Sequence, residues 1–114
     1  MKHKMRLNNE PFMSIKNGTK TIELRLNDEK RQLFNVNDLI EITNRKTLEK
    51  MLVEIIDLYK YPSFEELYKH FDKVSMGYKE DEIASFKDME KYYSKEEQEK
   101  YGVVGIKIKK LDIF

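Results

Sequence analysis

The sequence contains no cysteine and no tryptophan, and it has only two histidines, two prolines and four glycines. The lack of cysteine excludes disulfide scaffolds, thiolate metal sites and thiol catalysis. With so few histidines we also expect no metal site and no cofactor. No long apolar run is present, so no bilayer-spanning helix is predicted, and the first six residues lack the apolar stretch of a secretory signal. We therefore expect a cytoplasmic protein with no membrane partner.

Charges of both signs are abundant but unevenly distributed. The net charge is +1. Residues 1–60 and 100–114 each have three more basic than acidic residues, whereas residues 61–99 have five more acidic than basic residues. If both ends of the chain join one sheet, that sheet is basic and could contact phosphate groups. Mixed surface charge also serves solubility alone, which is the simpler alternative.

Hydrophobic alternation predicts five strands. They cover residues 3–7, 19–26, 39–43, 48–59 and 103–111. In the fourth, apolar residues occupy both alternating positions, which predicts a bent strand or one with a bulge.

Helix signals fall between these strands. Asn8 or Asn9 can cap a short helix with Pro11 in its first turn, and capping boxes begin at Ser63 and Ser94. A further helix is predicted over residues 79–93 from a helically spaced apolar stripe. The stripe consists of Ile83, Phe86, Met89 and Tyr93. The spacing also predicts core positions for Phe64, Phe71 and Phe86.

The order of these elements predicts an α+β protein built on a small, closed or nearly closed β-barrel of about five strands with flanking helices. With only two prolines and four glycines, no linker divides the chain, so we expect a single domain over residues 1–114. An open α+β sheet with helices on one face is the alternative.

The most informative motif is Gly18-Thr-Lys-Thr-Ile-Glu-Leu-Arg25. Glu23 and Arg25 are two residues apart on one strand, so their side chains are neighbours on one face, and Lys20 stands at the beginning of that strand. Arginine has a planar fork that suits carboxylate or phosphate. A structural ion pair on the barrel surface is the simpler interpretation of the same spacing.

The motif resembles the Gly-x-Lys-x-x-Glu-x-Arg pattern of the ASCH domain family, which is related to PUA domains. Asn37-Asp38 before the third strand resembles a Gly-Asp pair in the family, and Tyr101-Gly102 before the last strand is similar to members of this group. The resemblance covers nearly the whole chain. It implies a PUA-like β-barrel with a cleft between barrel and helices, where Lys20, Glu23 and Arg25 line or support a site for RNA or a nucleotide.

The resemblance also leaves an enzymatic alternative open. Some small bacterial members of the family are amidohydrolases acting on N4-acetylcytidine, with a lysine at the Lys20 position, a threonine nucleophile where this chain has Glu23, and a downstream glutamate. Here no threonine stands at that position, Thr21 has no special support, and the downstream glutamate cannot be placed. Another modified pyrimidine nucleoside is a possible substrate class, and ribonuclease activity is known for another member.

Chemically, Glu23 could act as a general base while Lys20 or Arg25 stabilises an oxyanion. A tight pair with Arg25 would lower the pKa of Glu23 and weaken it as a base. As a binder, the site needs an aromatic that stacks a base, and Tyr78, in a loop, is our candidate, although it could simply pack that loop.

Two further features stay open at this stage. The basic residues Lys107, Lys109 and Lys110 could contact phosphate or form a solvated strand edge that discourages pairing. The acidic segment at residues 79–99 could instead serve a non-catalytic protein-interaction module. The sequence does not predict the oligomeric state.

Overall fold

The computed structural model describes residues 1–111. The strands are β1 (Lys2–Leu7), β2 (Ile22–Leu26), β3 (Leu39–Asn44), β4 (Lys50–Tyr61) and β5 (Val103–Lys110). The α-helices are α1 (Asn9–Lys16), α2 (Phe64–Leu67) and α3 (Lys95–Tyr101), and 3-10 helices cover Arg31–Leu33 and Phe86–Lys91. The five predicted strands are therefore present in the predicted order.

The strands form one sheet in the order β1-β3-β4-β5-β2, in which only the β1–β3 pair is parallel. The sheet curls into a half-barrel rather than a closed barrel, because β1 and β2 are its two edges and are not paired with each other in residues 1–111. A side chain crosses this gap, where Arg25 Nη2 lies 3.4 Å from the carbonyl oxygen of Arg6. The α+β architecture of five curled strands with flanking helices is confirmed.

The predicted irregularity of the fourth strand is a register shift between Ile55 and Asp57, where β4 pairs with β5. A bulge sharpens the local twist of a strand, and here β4 passes from one hydrophobic cluster to another. The first cluster includes Val53 and Ile55 with Phe12 of α1, and the second lies under α2.

The predicted core phenylalanines lie in or against the second cluster. Phe64 is fully buried, whereas Phe71 and Phe86 are half-buried and pack against the cluster from outside. Helical spacing therefore identified the contacts of these rings but overestimated the burial of two of them.

The predicted helix over residues 79–93 is wrong. Only Phe86–Lys91 is helical there, as a 3-10 helix, and Ile83 of the predicted apolar stripe is 90% exposed. Two backbone carbonyl groups of this segment bind a side chain: Lys73 Nζ donates to the carbonyl oxygens of Glu80 and Glu82, both at 2.6 Å. These two contacts hold carbonyl groups of an irregular backbone where the apolar spacing predicted a helix.

The helix-end signals have mixed outcomes. Ser94 and Glu97 form the complete capping box of α3, whereas Ser63 Oγ accepts a bond from the Glu66 N–H and starts a helix of only four residues. Within residues 1–111, none of these helices has the length and apolar character needed to cross a bilayer.

Candidate functional site

The Lys20 end of the motif is held between α1 and the loop at residues 72–78. Gly18 has φ of +90°, a left-handed conformation that glycine adopts without strain, and this lets the chain leave α1 and turn directly into β2. The N–H of Lys20 then donates to Ser14, while the N–H groups of Thr21 and Ile22 both donate to the Ser75 carbonyl oxygen. The beginning of β2 is therefore fixed from both sides by backbone bonds.

The three motif side chains form one cation–anion–cation group, called here the trio: Lys20, Glu23 and Arg25. Lys20 Nζ lies 2.8 Å from Glu23 Oε1. Arg25 donates from Nη2 at 2.9 Å and from Nε at 3.2 Å to the other oxygen, Oε2. The side chains of Lys20, Glu23 and Arg25 are 9%, 6% and 16% exposed. Both carboxylate oxygens are therefore engaged in a nearly buried site.

Electrostatics in the trio favour the ionised form of Glu23. Burial alone would raise the pKa of its carboxyl group, but the charges and hydrogen bonds of Lys20 and Arg25 outweigh burial and lower it. For Arg25, burial alone would lower the pKa of the guanidinium group, but the Glu23 carboxylate and the Tyr93 hydroxyl outweigh burial and raise it. Glu23 is a poor proton acceptor at neutral pH and is well suited to orienting two cations.

The trio lines a cleft of about 1130 Å³ between the open side of the half-barrel and the irregular segment that follows α2. Gly77 lies over the Lys20 side chain, so close that a Cβ atom there would be 3.1 Å from Lys20 Cδ. Gly77 also has φ of +110°. The loop can therefore cover the lysine stem only because residue 77 has no side chain.

Tyr78 also lines this cleft, where the structure brings it together with the trio. Its hydroxyl is 2.9 Å from the Tyr68 hydroxyl and donates to an Asp88 carboxylate oxygen at 2.7 Å. Burial and these two partners raise the pKa of Tyr78. Its ring packs against the second hydrophobic cluster, and this packing fixes the position of Tyr78 in the wall of the cleft.

Sequence reasoning missed four other residues of the cleft: Arg6, Arg45, Tyr92 and Tyr93. Tyr92 is 70% exposed. The predicted helical stripe included Tyr93, but no pattern in the sequence indicated that either arginine or Tyr92 lines the cleft. The β1–β3 pairing places the two arginines there, and Tyr92 follows the 3-10 helix Phe86–Lys91.

The lysines of β5 do not belong to this site. Lys107 stands opposite Asp57 and Lys109 opposite Glu54 in the β4–β5 register, which gives cross-strand pairs of opposite charge. β5 is an inner strand of the sheet, and its pairing with β2 reaches Lys107. The expectation of a strand edge is therefore wrong for Lys107, whereas Lys109 and Lys110 lie beyond the register that pairs β5 with β2. Across residues 1–111, no group of three or more His, Asp or Glu side chains is arranged to hold a metal ion.

The curled sheet, the short helices and the motif on β2 define the class of protein. The family model described as ASCH domain matches residues 5–112, and this chain belongs to the ASCH domain family.

Solved structures agree with this assignment. The crystal structure of a hypothetical protein is 30% identical, with a TM-score of 0.82, and the match covers 97% of this chain and all of that one. An NMR structure of a protein from Pyrococcus furiosus is also 30% identical, with a TM-score of 0.71, over 99% of this chain and all of that one. The crystal structure of ASCH from Zymomonas mobilis, 14% identical with a TM-score of 0.69, shares the fold over 95% of this chain and 66% of its own. No curated protein matches this chain.

Proposed function

We propose that the cleft binds RNA or a nucleotide, with Lys20 and Arg25 donating to the ligand and Glu23 positioning both cations. The observation that carries this proposal is the trio itself, which lines a cleft that several tyrosines also line. The ASCH domain family is generally thought to bind RNA, which supports the same ligand class.

The roles follow from the hydrogen-bonding capacity of each group. An ammonium group has three N–H donors, and Lys20 uses one toward Glu23, which leaves donors for a phosphate or a base carbonyl. Glu23 holds the Lys20 ammonium and the Arg25 fork in fixed positions before the ligand arrives, and this preorganisation lowers the entropy cost of binding. The Tyr78 ring supplies a flat surface for a base.

Fluorescence anisotropy with a short labelled single-stranded RNA, at low and at physiological salt, tests the proposal. Lys20→Ala is expected to weaken binding about tenfold or more, since a hydrogen bond to a charged group contributes about 1.5–3 kcal/mol. Lys16→Ala is the matched control, because Lys16 is a lysine at the end of α1 that pairs with Glu49 outside the cleft. An absence of binding at low salt, or equal losses in both variants, would contradict the proposal.

An amidohydrolase acting on N4-acetylcytidine is a second candidate. In its favour, the nearly buried Lys20 ammonium lines a cleft with room for a nucleoside and could stabilise an oxyanion. Glu23 supports this role less, because its lowered pKa makes it a weak base. Incubation with N4-acetylcytidine decides the matter: no deacetylation, or deacetylation that persists in Lys20→Ala, rules this candidate out.

A further inference from the structure

We propose that the cleft has a second anion subsite, formed by Arg6 and Arg45, which binds the phosphate next to the nucleotide held at the trio. This inference rests on the proposed function and narrows its ligand class: the cleft takes a single strand with consecutive phosphates rather than a lone nucleoside.

The parallel pairing of β1 and β3 brings the two arginines to the same end of the sheet. Arg6 stands opposite Thr43 in the register, and just beyond the last pair the N–H of Arg45 donates to the Leu7 carbonyl oxygen at 2.9 Å. Both residues line the cleft. The Arg25 guanidinium reaches the Arg6 carbonyl oxygen, so the end of β1 that carries Arg6 adjoins the trio.

The arginines of the subsite have no acidic partner. Neither Arg6 nor Arg45 forms an ion pair in residues 1–111, and Arg45 has only a hydrogen bond from Nη1 to Asn8 Oδ1 at 3.4 Å. By contrast, Arg31 binds Asp28 and Arg25 binds Glu23. Two uncompensated guanidinium groups in one cleft match the geometry and charge of phosphate.

Acidic side chains do line other parts of the cleft. Glu10 lies on α1, and Glu80 and Glu82 lie on the segment across the cleft. Glu82 is engaged locally, since its Oε1 accepts from the N–H of Lys79 at 2.7 Å. Lys79, on the same segment as Glu80 and Glu82, also lines the cleft, so charges of both signs lie there, whereas Arg6 and Arg45 have no acidic partner in residues 1–111 that would compete with a phosphate.

Tyr92 provides the complementary surface for a base. It lines the same cleft, is 70% exposed, and its side chain has no hydrogen-bond or ring partner among residues 1–111. Tyr93 differs, because its ring is stacked on Phe64 with centroids 5.8 Å apart. An exposed aromatic ring in the cleft that the two arginines also line suits a strand whose bases turn away from its phosphates.

The salt dependence of RNA binding tests the subsite. In a single strand, each neutralised phosphate contributes about 0.7 to the slope of log affinity against log salt concentration. Because both arginines contact the same phosphate, the double variant Arg6→Gln/Arg45→Gln is expected to lose about 0.7 from this slope. The matched control is Lys4→Gln/Lys46→Gln: Lys4 lies on β1 two residues before Arg6, Lys46 follows Arg45, and neither lines the cleft. The control should keep the wild-type slope.

Two variants at Tyr92 test the base contact that accompanies the subsite. Tyr92→Ala should weaken binding of the labelled RNA by at least about fivefold, while Tyr92→Phe, which keeps the ring, should bind like the wild-type chain. As a competitor, a 5′-phosphorylated dinucleotide, which has two consecutive phosphates, should displace the labelled RNA better than a nucleoside monophosphate does, and the double arginine variant should lose this preference.

The outcomes separate the two proposals. If Lys20→Ala impairs binding but the arginine and lysine double variants have equal slopes, the subsite is refuted and the proposed function stands. Equal competition by the nucleoside monophosphate and the 5′-phosphorylated dinucleotide refutes the strand preference alone. If the wild-type chain does not bind RNA even at low salt, the proposed function fails and the subsite fails with it.

Discussion

At the scale of single residues, Glu23 is the centre of the site. Its carboxylate accepts from Lys20 on one oxygen and from Arg25 on the other, and all three side chains are largely shielded from water. A charged group in such a place is tolerated because its partners are present, so the loss of one partner affects the others more than at a solvated surface.

Removing the anion should destabilise the fold. Glu23→Gln leaves two nearly buried cations without a counter-charge, and we expect the free energy of unfolding at neutral pH to fall by about 3–5 kcal/mol. Urea denaturation followed by circular dichroism measures this loss. Glu49→Gln is the control, since Glu49 pairs with Lys16 where both side chains are 40% exposed, and its loss should be below about 1 kcal/mol. Similar small losses in both variants would mean that the trio contributes little to folding.

At the scale of elements, the loop at residues 72–78 positions Lys20. Ser75 anchors the beginning of β2 through its carbonyl oxygen, and Gly77 covers the lysine stem. This loop is not part of the sheet, yet the position of the Lys20 ammonium depends on it.

Alanine substitutions at two glycines separate backbone strain from the contact between residue 77 and the Lys20 side chain. Gly18 and Gly77 have φ of +90° and +110°, so Gly18→Ala and Gly77→Ala should each lower the free energy of unfolding by about 1–3 kcal/mol. Only Gly77→Ala also displaces Lys20, since a Cβ at Gly18 meets nothing within 4 Å. RNA affinity is therefore expected to fall in Gly77→Ala and to persist in Gly18→Ala. Equal affinities would show that the loop contact does not position the lysine.

The elements also show which parts of the fold and of the candidate site could be predicted from the sequence. Alternation predicted the strands, because a strand buried on one face has a simple period, and the three motif residues that were expected to lie together do form the trio. Spacing failed at residues 79–93, where the backbone is mostly irregular and Lys73 binds two of its carbonyl groups. Arg6 and Arg45 were missed because only the β1–β3 pairing places them at the cleft, and local patterns carry no signal of that pairing.

At the scale of the whole molecule, the two ends of the β1–β3 pair carry different charged groups. The cleft arginines lie at one end, and Asp38 lies at the other. Asp38 binds His3 Nε2 at 2.8 Å and the Met1 ammonium at 3.1 Å, and it also accepts from the N–H of Asn35. Mainly through the hydrogen bond with His3, these partners lower the pKa of Asp38 to about 2.

This lowered pKa predicts how stability responds to acid. A carboxyl group whose pKa is lower in the folded state stabilises the fold above its ordinary pKa, near 3.8, and that contribution disappears as the pH falls toward 2. The wild-type unfolding temperature should therefore drop more between pH 6 and pH 3 than that of Asp38→Asn, which is less stable at pH 6. Asp81→Asn, a change at an exposed carboxylate, should follow the wild-type curve. Parallel curves for wild type and Asp38→Asn would refute the link.

The pairing of β2 has a consequence for synthesis on the ribosome. β2 carries Glu23 and Arg25, and its hydrogen-bonded neighbour is β5, with Ile22 opposite Lys107. Because a nascent chain is synthesised from its amino end, β2 cannot pair with β5 until almost all of residues 1–111 have been translated. Contacts between such distant segments slow folding, so the strand that carries two residues of the trio is paired late, and a growing chain exposes its hydrogen-bonding edge in the meantime.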